Sequence, residues 1–595
     1  MKRKLAPLLV ILLAASGLVT SSSGHPVAAV SQRIRPDLPR GVFVARVYYE
    51  HLDELEDLTD YDVWEYNNLA ERYVLVALDG AEYANLENSG WLIEVDQEAT
   101  TGLTASELLP FATGYSTVDD YYDSLKKLNG RYPQLVELVK YGESTCLAKS
   151  GCTTPGGEHL AGFDLLALRI SNENILATSA VDGSDVSRGN KPVFFLLANI
   201  HAREIATPEI AMRLLEHLLV NYGKDADITW LVDWHEIWVV PLANPDGHRL
   251  VELGAQEPYN RSAFYQRKNA NLDADGDNAP DCPVWPPESS WQYGVDLNRN
   301  HRFAWGGEGS SLNPCAQSFR GPGPVSEVEV ASLQQLVEAL IPDQRGDGAA
   351  DAALPTTTGL LLTLHSFGDL VIWPWGYDVG KAPNHEGLKA VGDKLASFNG
   401  YQSCQASTCL YTASGTTDDW AYGELGIPAF TYEIGQRFMP DYAEIDELLW
   451  PDNLPSLLYA AKIARTPYKT ILGPAINRVQ GTIPPGEEFI EITAVIDDSD
   501  HGDSHVSSAT YSIDLPYWAP GAKSMPLAAV DGAFDDDEEV VTTVLPLDAV
   551  DPGLHMLYVT GQNSDGHLGV TEAIFIEVIS YNTSYTYIPF YAYSP

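Results

Sequence analysis

Basic residues are scarce. The 595-residue chain holds 36 Lys and Arg against 82 Asp and Glu, a formal net charge of −46. An acid excess of this size repels nucleic acid and anionic membranes and excludes both as partners. It suits cationic peptides, calcium, a salt-rich medium, or the plain solubility of an exported protein. Long apolar runs are missing beyond the N-terminus, so no transmembrane helix is predicted there. Cysteine is limited to six residues, and no pair has zinc-ribbon spacing. Internal repeats and long low-complexity stretches are absent, which excludes repeat arrays. Apolar residues are not short: at 45%, with 10% aromatic, they exclude global disorder and support sizeable cores.

What is present begins at the N-terminus. Lys2, Arg3 and Lys4 precede an apolar run from Leu8 to Leu18, followed by small and polar residues through Ser23. This predicts a bacterial-looking secretory signal peptide over residues 1–24 and an extracellular protein, with a retained anchor as the alternative. The cysteines fit export. Pairing neighbours gives Cys146–Cys152, Cys282–Cys315 and Cys404–Cys409 with no thiol left over, although sequence alone leaves other connectivities open.

Four segments follow. Residues 25–41 read as a linker. Residues 42–96 alternate strand-like and helix-like text, predicting a small α+β domain. Residues 97–114 read as a second linker. From Tyr115 to Tyr468 short apolar runs alternate with amphipathic helical patterns, the first helix opening at Ser116 as N-cap. That predicts an α/β domain with a mixed central sheet flanked by helices. Residues 471–580 are short strands divided by Gly, Pro and Asp turns, predicting an all-β immunoglobulin-like sandwich. No account is offered for the aromatic tail "SYTYIPFYAYSP".

The chemistry sits in the α/β segment. In "NIHAREIATPE", His201 and Glu204 follow the apolar run "VFFLLANI", at a strand end where such folds build sites. Two ligands three apart are a weak signal alone. His365 ends another apolar run, "LLTLHS", and completes a His₂Glu set. Three such ligands leave the fourth position for water, as a catalytic zinc requires. Glu433 ends the apolar "AFTYE" run, where a carboxylate is costly unless it has a task such as general base. In "GVDLNRN", Asn298 and Arg299 place an amide beside a guanidinium fork suited to a carboxylate.

These motifs, with "NPDG" at 244–247, "QRKN" at 266–269, "GPGPVSEVE" at 321–329, "HSFGDLVIWPWGY" at 365–377 and "YTASGTTDDWAY" at 411–422, resemble the zinc carboxypeptidases that include pancreatic carboxypeptidases A and B. The resemblance implies one catalytic Zn²⁺ held by His201, Glu204 and His365. It implies that Glu433 activates the water, that Arg267 stabilises the oxyanion, and that Asp296 orients His201. Asn298, Arg299 and Tyr411 would hold the substrate's terminal carboxylate, with Arg203 guiding it in. The implied substrates are peptides or proteins with a free C-terminal carboxylate. Gln266 and Phe367 depart from the family's aromatic and tyrosine there, which touches subsites and not the reaction.

Asp418 aligns with the pocket-floor position that is acidic in B-like enzymes, implying a preference for C-terminal Lys or Arg. The rival reading makes Thr417 or Asp418 an N-cap for the helix that follows. The resemblance also implies an inhibitory prodomain at 42–96, cleaved within 97–114, with permanent attachment as the alternative. Asp273, Asp275 and Asp277 alternate as in a calcium loop, but the rest of such a loop is missing, and a solvated acidic turn fits equally. Two competing functions remain: an amidase on peptidoglycan stem peptides, and a catalytically inactive peptide-binding relative.

Overall fold

In the computed structural model, an eight-stranded mixed sheet forms the centre of the α/β segment. The structure describes residues 38–39, 41–105, 110–154, 156–175, 191–256, 265–277, 279–282, 291–485, 487–581 and 584–589. The predicted signal peptide lies outside the described residues.

The sheet order is Gln402–Gln405, Leu370–Trp373, Ala429–Glu433, Leu360–His365, Val193–Ala198, Glu236–Val240, Asp164–Ile170 and Val136–Glu143. The four strands from Ala429–Glu433 to Glu236–Val240 run parallel, so their C-terminal ends share one edge. The outer pairings add antiparallel neighbours. Every residue of Val193–Ala198, Leu360–His365 and Ala429–Glu433 is buried, because both faces of the sheet are covered. That explains why these strands read as continuous apolar runs and not as alternation. Ala206–Asn221 buries Ile210, Leu214 and Leu218 at helical spacing, and Val328–Leu340 buries Val330, Leu333 and Val337. Each such side chain contributes roughly 1.5–3 kcal/mol by leaving water.

The N-terminal domain is a four-stranded antiparallel sheet, ordered Asp62–Asn68, Tyr73–Leu78, Phe43–Tyr48 and Leu92–Val95. The expected helix lies at Gly80–Asn88, and Leu52–Leu58 forms a 3₁₀ helix. The sequence reading missed strand Asp62–Asn68, which has no clean alternation because its register shifts between Val63 and Asn67.

Two local expectations are corrected. Residues 97–114 hold helices Gln97–Ala105 and Pro110–Thr113 instead of plain linker. Asp96 accepts from the Ala99 N–H at 2.9 Å and starts the first of them. The helix Val118–Arg131 is capped by Thr117, not Ser116. Thr117 and Asp120 form a reciprocal capping box, so the hydroxyl three residues before an acid wins.

The C-terminal domain is an eight-stranded antiparallel sheet that curls on itself. It runs Ala475–Thr482, Phe489–Asp497, Glu538–Pro546, Met525–Ala529, Val506–Ile513, Gly553–Asn563, Glu572–Tyr581 and Ser584–Pro589. Ile490, Ile492, Ile496, Val541, Leu557 and Ile576 fill its core. Part of the unassigned aromatic tail is thus the last strand. Lys462 joins this domain to the catalytic one by pairing with Asp227 and Glu572, and the Arg465 guanidinium lies 4.7 Å over Trp518. Disulfides join Cys146 to Cys152, Cys282 to Cys315 and Cys404 to Cys409, the neighbour pairing expected.

Candidate active site

The shared C-terminal edge of the parallel strands collects the chemistry. After Val193–Ala198 the chain turns at Asn199, whose φ is 55°, a left-handed conformation that asparagine tolerates. Its amide donates to the carbonyls of His201 and Ala202 at 3.2 and 3.3 Å. Thr207 accepts from the Asn199 N–H at 3.0 Å and donates to the Glu204 carbonyl at 2.8 Å. This rolled turn brings His201 and Glu204 to one point. His365 ends the next strand, and Glu433 is its register partner one strand further on.

His201 Nδ1 lies 2.7 Å from Glu204 Oε1 and 3.1 Å from His365 Nδ1, which is 3.3 Å from Glu204 Oε2. All three residues are buried. Two imidazole nitrogens and a carboxylate converging this closely leave lone pairs that a cation satisfies. Tetrahedral ligands about 2.1 Å from zinc sit about 3.4 Å from one another, so the donor set fits that ion.

On the far side of His201, Asp296 Oδ1 lies 3.3 Å from Nε2, which leaves Nδ1 facing the ligand cluster. Asp296 also accepts from the Asn298 N–H at 2.9 Å and from Arg267 Nε at 3.1 Å, so it caps a turn and braces the site together. Burial alone would raise its carboxyl, but the Arg267 guanidinium and His201 hold it well below the usual range. Glu433 is buried, and burial followed by the charges of Glu65 and Glu204 pushes its carboxyl well above the ordinary value.

Glu433, His201, Arg267, Asn298, Arg299, Tyr411 and Asp418 line one cavity. Arg299 is held by Nε donating to the Gly309 carbonyl at 2.8 Å and Nη1 donating to the Asn298 carbonyl at 2.9 Å. The helix after the "SGTT" turn runs Thr417–Leu425, with Thr416 as N-cap. The N-cap reading of Thr417 and Asp418 is therefore corrected, since both lie inside the helix. Among the described residues Asp418 Oδ1 accepts only from the neighbouring Asp419 N–H, at 3.0 Å. Asp419 instead faces away to Gly376 and Tyr377, accepting their N–H groups at 2.8–3.1 Å.

Arg203 is paired with the N-terminal domain. It is fully buried, 4.1 Å over the Phe438 ring, and donates to both oxygens of Asp62 at 3.0 and 3.2 Å. Arg267 Nη1 donates to Glu65 Oε1 at 2.5 Å. Both acids belong to the N-terminal domain. Around them Trp64 meets Phe367 and Phe438 edge-on, Asn67 donates to the Leu410 carbonyl at 2.6 Å, and Glu56 accepts from the Gly309 N–H at 2.7 Å. The domain is seated on the cleft. Sequence reasoning missed Asp62 and Glu65 because their strand was missed; their one signal is two acids flanking a tryptophan.

The acidic loop gives no support to calcium. Asp273, Asp275 and Asp281 bring oxygens within 4.8 Å of one another, and Asp277 is not among them. Asp273, Asp275 and Asp277 accept from the N–H groups of Gly276, Asp277 and Ala279, the pattern of a solvated acidic turn.

Residues 121–453 match the model of a family described as zinc carboxypeptidase. Carboxypeptidase A2 of Rattus norvegicus is 31% identical over 54% of this chain and 62% of its own length. Carboxypeptidase B of Helicoverpa zea is 26% identical over 60% of this chain and 73% of its own length. The chain thus spans under two thirds of the first curated relatives it matches. Among solved structures, carboxypeptidase A from Helicoverpa armigera superposes with a TM-score of 0.52 at 21% identity, covering 71% of this chain and 98% of that one. That superposition bears on the fold alone.

Proposed function

The chain belongs to the zinc carboxypeptidase family, and from that premise we propose that it is a secreted exopeptidase that hydrolyses the C-terminal peptide bond of peptides. The convergence of His201, Glu204 and His365 beside Glu433, across one cavity from Asn298, Arg299 and Tyr411, carries this reading. His201, Glu204 and His365 would hold the zinc. When bound, zinc supplies a Lewis acid that makes water acidic enough to ionise near neutral pH.

Glu433 takes the proton of the attacking water and passes it to the leaving amine, a role open to a buried carboxylate at the cavity wall. Arg267 faces the scissile carbonyl and stabilises its developing oxyanion. Asn298, Arg299 and Tyr411 grip the terminal carboxylate, and so fix which bond lies before Glu433. Asp418, buried on the cavity wall with one weak local bond, pairs with a C-terminal Lys or Arg side chain.

The N-terminal domain is an inhibitory cap. Glu65 occupies Arg267 and Asp62 occupies Arg203, so two cationic groups of the cleft are unavailable to substrate. Cleavage between residues 97 and 114 would free them.

The test opens the zinc-loaded chain by limited proteolysis in that segment and measures release of C-terminal Arg, Lys, Phe and Leu from blocked dipeptides. Release that is abolished by chelator and by Glu433→Gln supports the reading. No release from the zinc-loaded, opened chain sinks it, and turnover of cell-wall stem peptides alone would replace it with an amidase.

A further inference from the structure

The carboxylate clamp contains an amide whose orientation matters. An asparagine can present either an oxygen or an NH₂ group to the cavity, and only the NH₂ group attracts a carboxylate. Four buried groups decide the question here. Asn298 Oδ1 lies 2.9 Å from the backbone N–H of Thr417, which can only donate. The oxygen edge of the amide is therefore turned to Thr417, and the Nδ2 edge is left for the cavity. Thr417 Oγ1 lies 3.0 Å from the same oxygen, so its single proton is committed there.

The rest follows by elimination. With its proton spent, Thr417 Oγ1 must accept from His301 Nε2, 3.0 Å away. His301 is neutral, since burial and then the Arg302 charge push its pKa down to about 3, so it carries its one proton on Nε2 and offers a bare Nδ1. Gln334 lies 3.0 Å from that nitrogen and must present its NH₂ to it. The consequence is visible: among the described residues Gln334 Oε1, which is buried, has no hydrogen-bond partner. A buried orphan carbonyl is unfavourable, and it persists because turning the amide over would set two acceptors, or two donors further along, against each other. His301 is fully buried and stacked on Trp420 at 5.4 Å and 28°, so its ring plane is fixed.

We propose that Gln334, His301 and Thr417 form a one-directional hydrogen-bond relay that points the Thr417 hydroxyl at Asn298 as a second donor beside the Thr417 N–H, and so holds Asn298 with its NH₂ edge toward the substrate carboxylate. The three are positioning residues: none lies among the lining groups expected to touch substrate apart from the clamp itself, and they act through Asn298. The inference rests on the carboxypeptidase reading of the clamp. It adds to that reading the residues that orient the clamp and the tautomer His301 must hold.

The test compares the zinc-loaded, proteolytically opened wild type with Thr417→Val, Thr417→Ser, His301→Phe and the Thr417→Val/His301→Phe pair. Valine keeps the size and backbone N–H but removes the hydroxyl. Expected is a KM for blocked dipeptides raised about 5–10-fold with kcat within twofold, since the clamp holds substrate and transition state alike. Serine should restore KM to within twofold. His301→Phe should raise KM about threefold, and the double variant should be no worse than Thr417→Val, because both break one chain.

Unchanged KM in Thr417→Val, or a double variant whose effects multiply, overturns the relay. Thr417→Ala takes the place of the valine variant if the latter does not accumulate, with the same expected KM change. A wild type without activity would fell the carboxypeptidase reading and the relay together; an active wild type with an indifferent Thr417→Val fells the relay alone.

Discussion

Removing the Glu65 carboxylate should switch on the intact chain. Glu65 is 3% exposed, and its Oε1 takes Arg267 Nη1 at 2.5 Å. Its other oxygen is buried and has no partner among the described residues. A hydrogen bond between charged groups counts for about 1.5–3 kcal/mol. Two effects reduce that gain: the cost of burying the carboxylate and the like charge of Glu433 nearby. Arg267 keeps its bond to Asp296 at 3.1 Å, so Glu65→Ala does not strand a bare guanidinium. The net change should be near the lower bound, about 1.5–2 kcal/mol. That is roughly a 10- to 30-fold shift of the capped-to-open equilibrium.

The assay is hydrolysis of a small blocked dipeptide by zinc-loaded, uncleaved chain. Activity of Glu65→Ala should exceed wild type by that factor, while the two are equal after the N-terminal domain is proteolytically released. Equal activity before cleavage, with an active cleaved wild type, would show that Glu65 does not hold the cap shut.

Other outcomes are expected of the same protein. Glu433→Gln should lower kcat by about 10²–10⁴ with zinc content unchanged, read by turnover and metal analysis. Asp418→Val should reduce kcat/KM for C-terminal Arg by roughly 10- to 100-fold relative to Phe, the worth of one buried charged pair; an unmoved ratio assigns basic preference elsewhere. Burial, then Glu327 and Asp246, pushes the Glu329 carboxyl up to about 8. A raised folded pKa contributes stability that is full below the unfolded value of about 4.3 and is lost as pH rises through 8. Glu329→Gln should therefore match or trail wild type at pH 5 and exceed it at pH 9 by on the order of a few kcal/mol, read by denaturant midpoints.

How legible all this was depends on whether the determining interaction is local. The strands that end in His365 and Glu433 were readable because burial on both faces makes them unbroken apolar text, and a polar residue at the end of such text stands out. The His201, Glu204 and His365 cluster followed, since its members lie at or just past strand ends that parallel pairing must bring together. The two acids of the N-terminal domain were invisible for the opposite reason. Asp62 and Glu65 sit on a strand with an interrupted register, and what makes them matter is a contact with arginines 141 and 202 positions away. Helix starts failed in a smaller way. Ser116 and Thr117 are both good caps, and only the reach of Asp120 back to Thr117 chooses between them.

His301 lies between these extremes. It follows a motif that was noticed, yet its role comes from Gln334 and Thr417, 33 and 116 residues away. Pattern reading finds residues that chemistry singles out by type. Residues that act by fixing which way a neighbour's hydrogen points are ordinary in type, and they emerge only when each donor and acceptor in the buried network is accounted for.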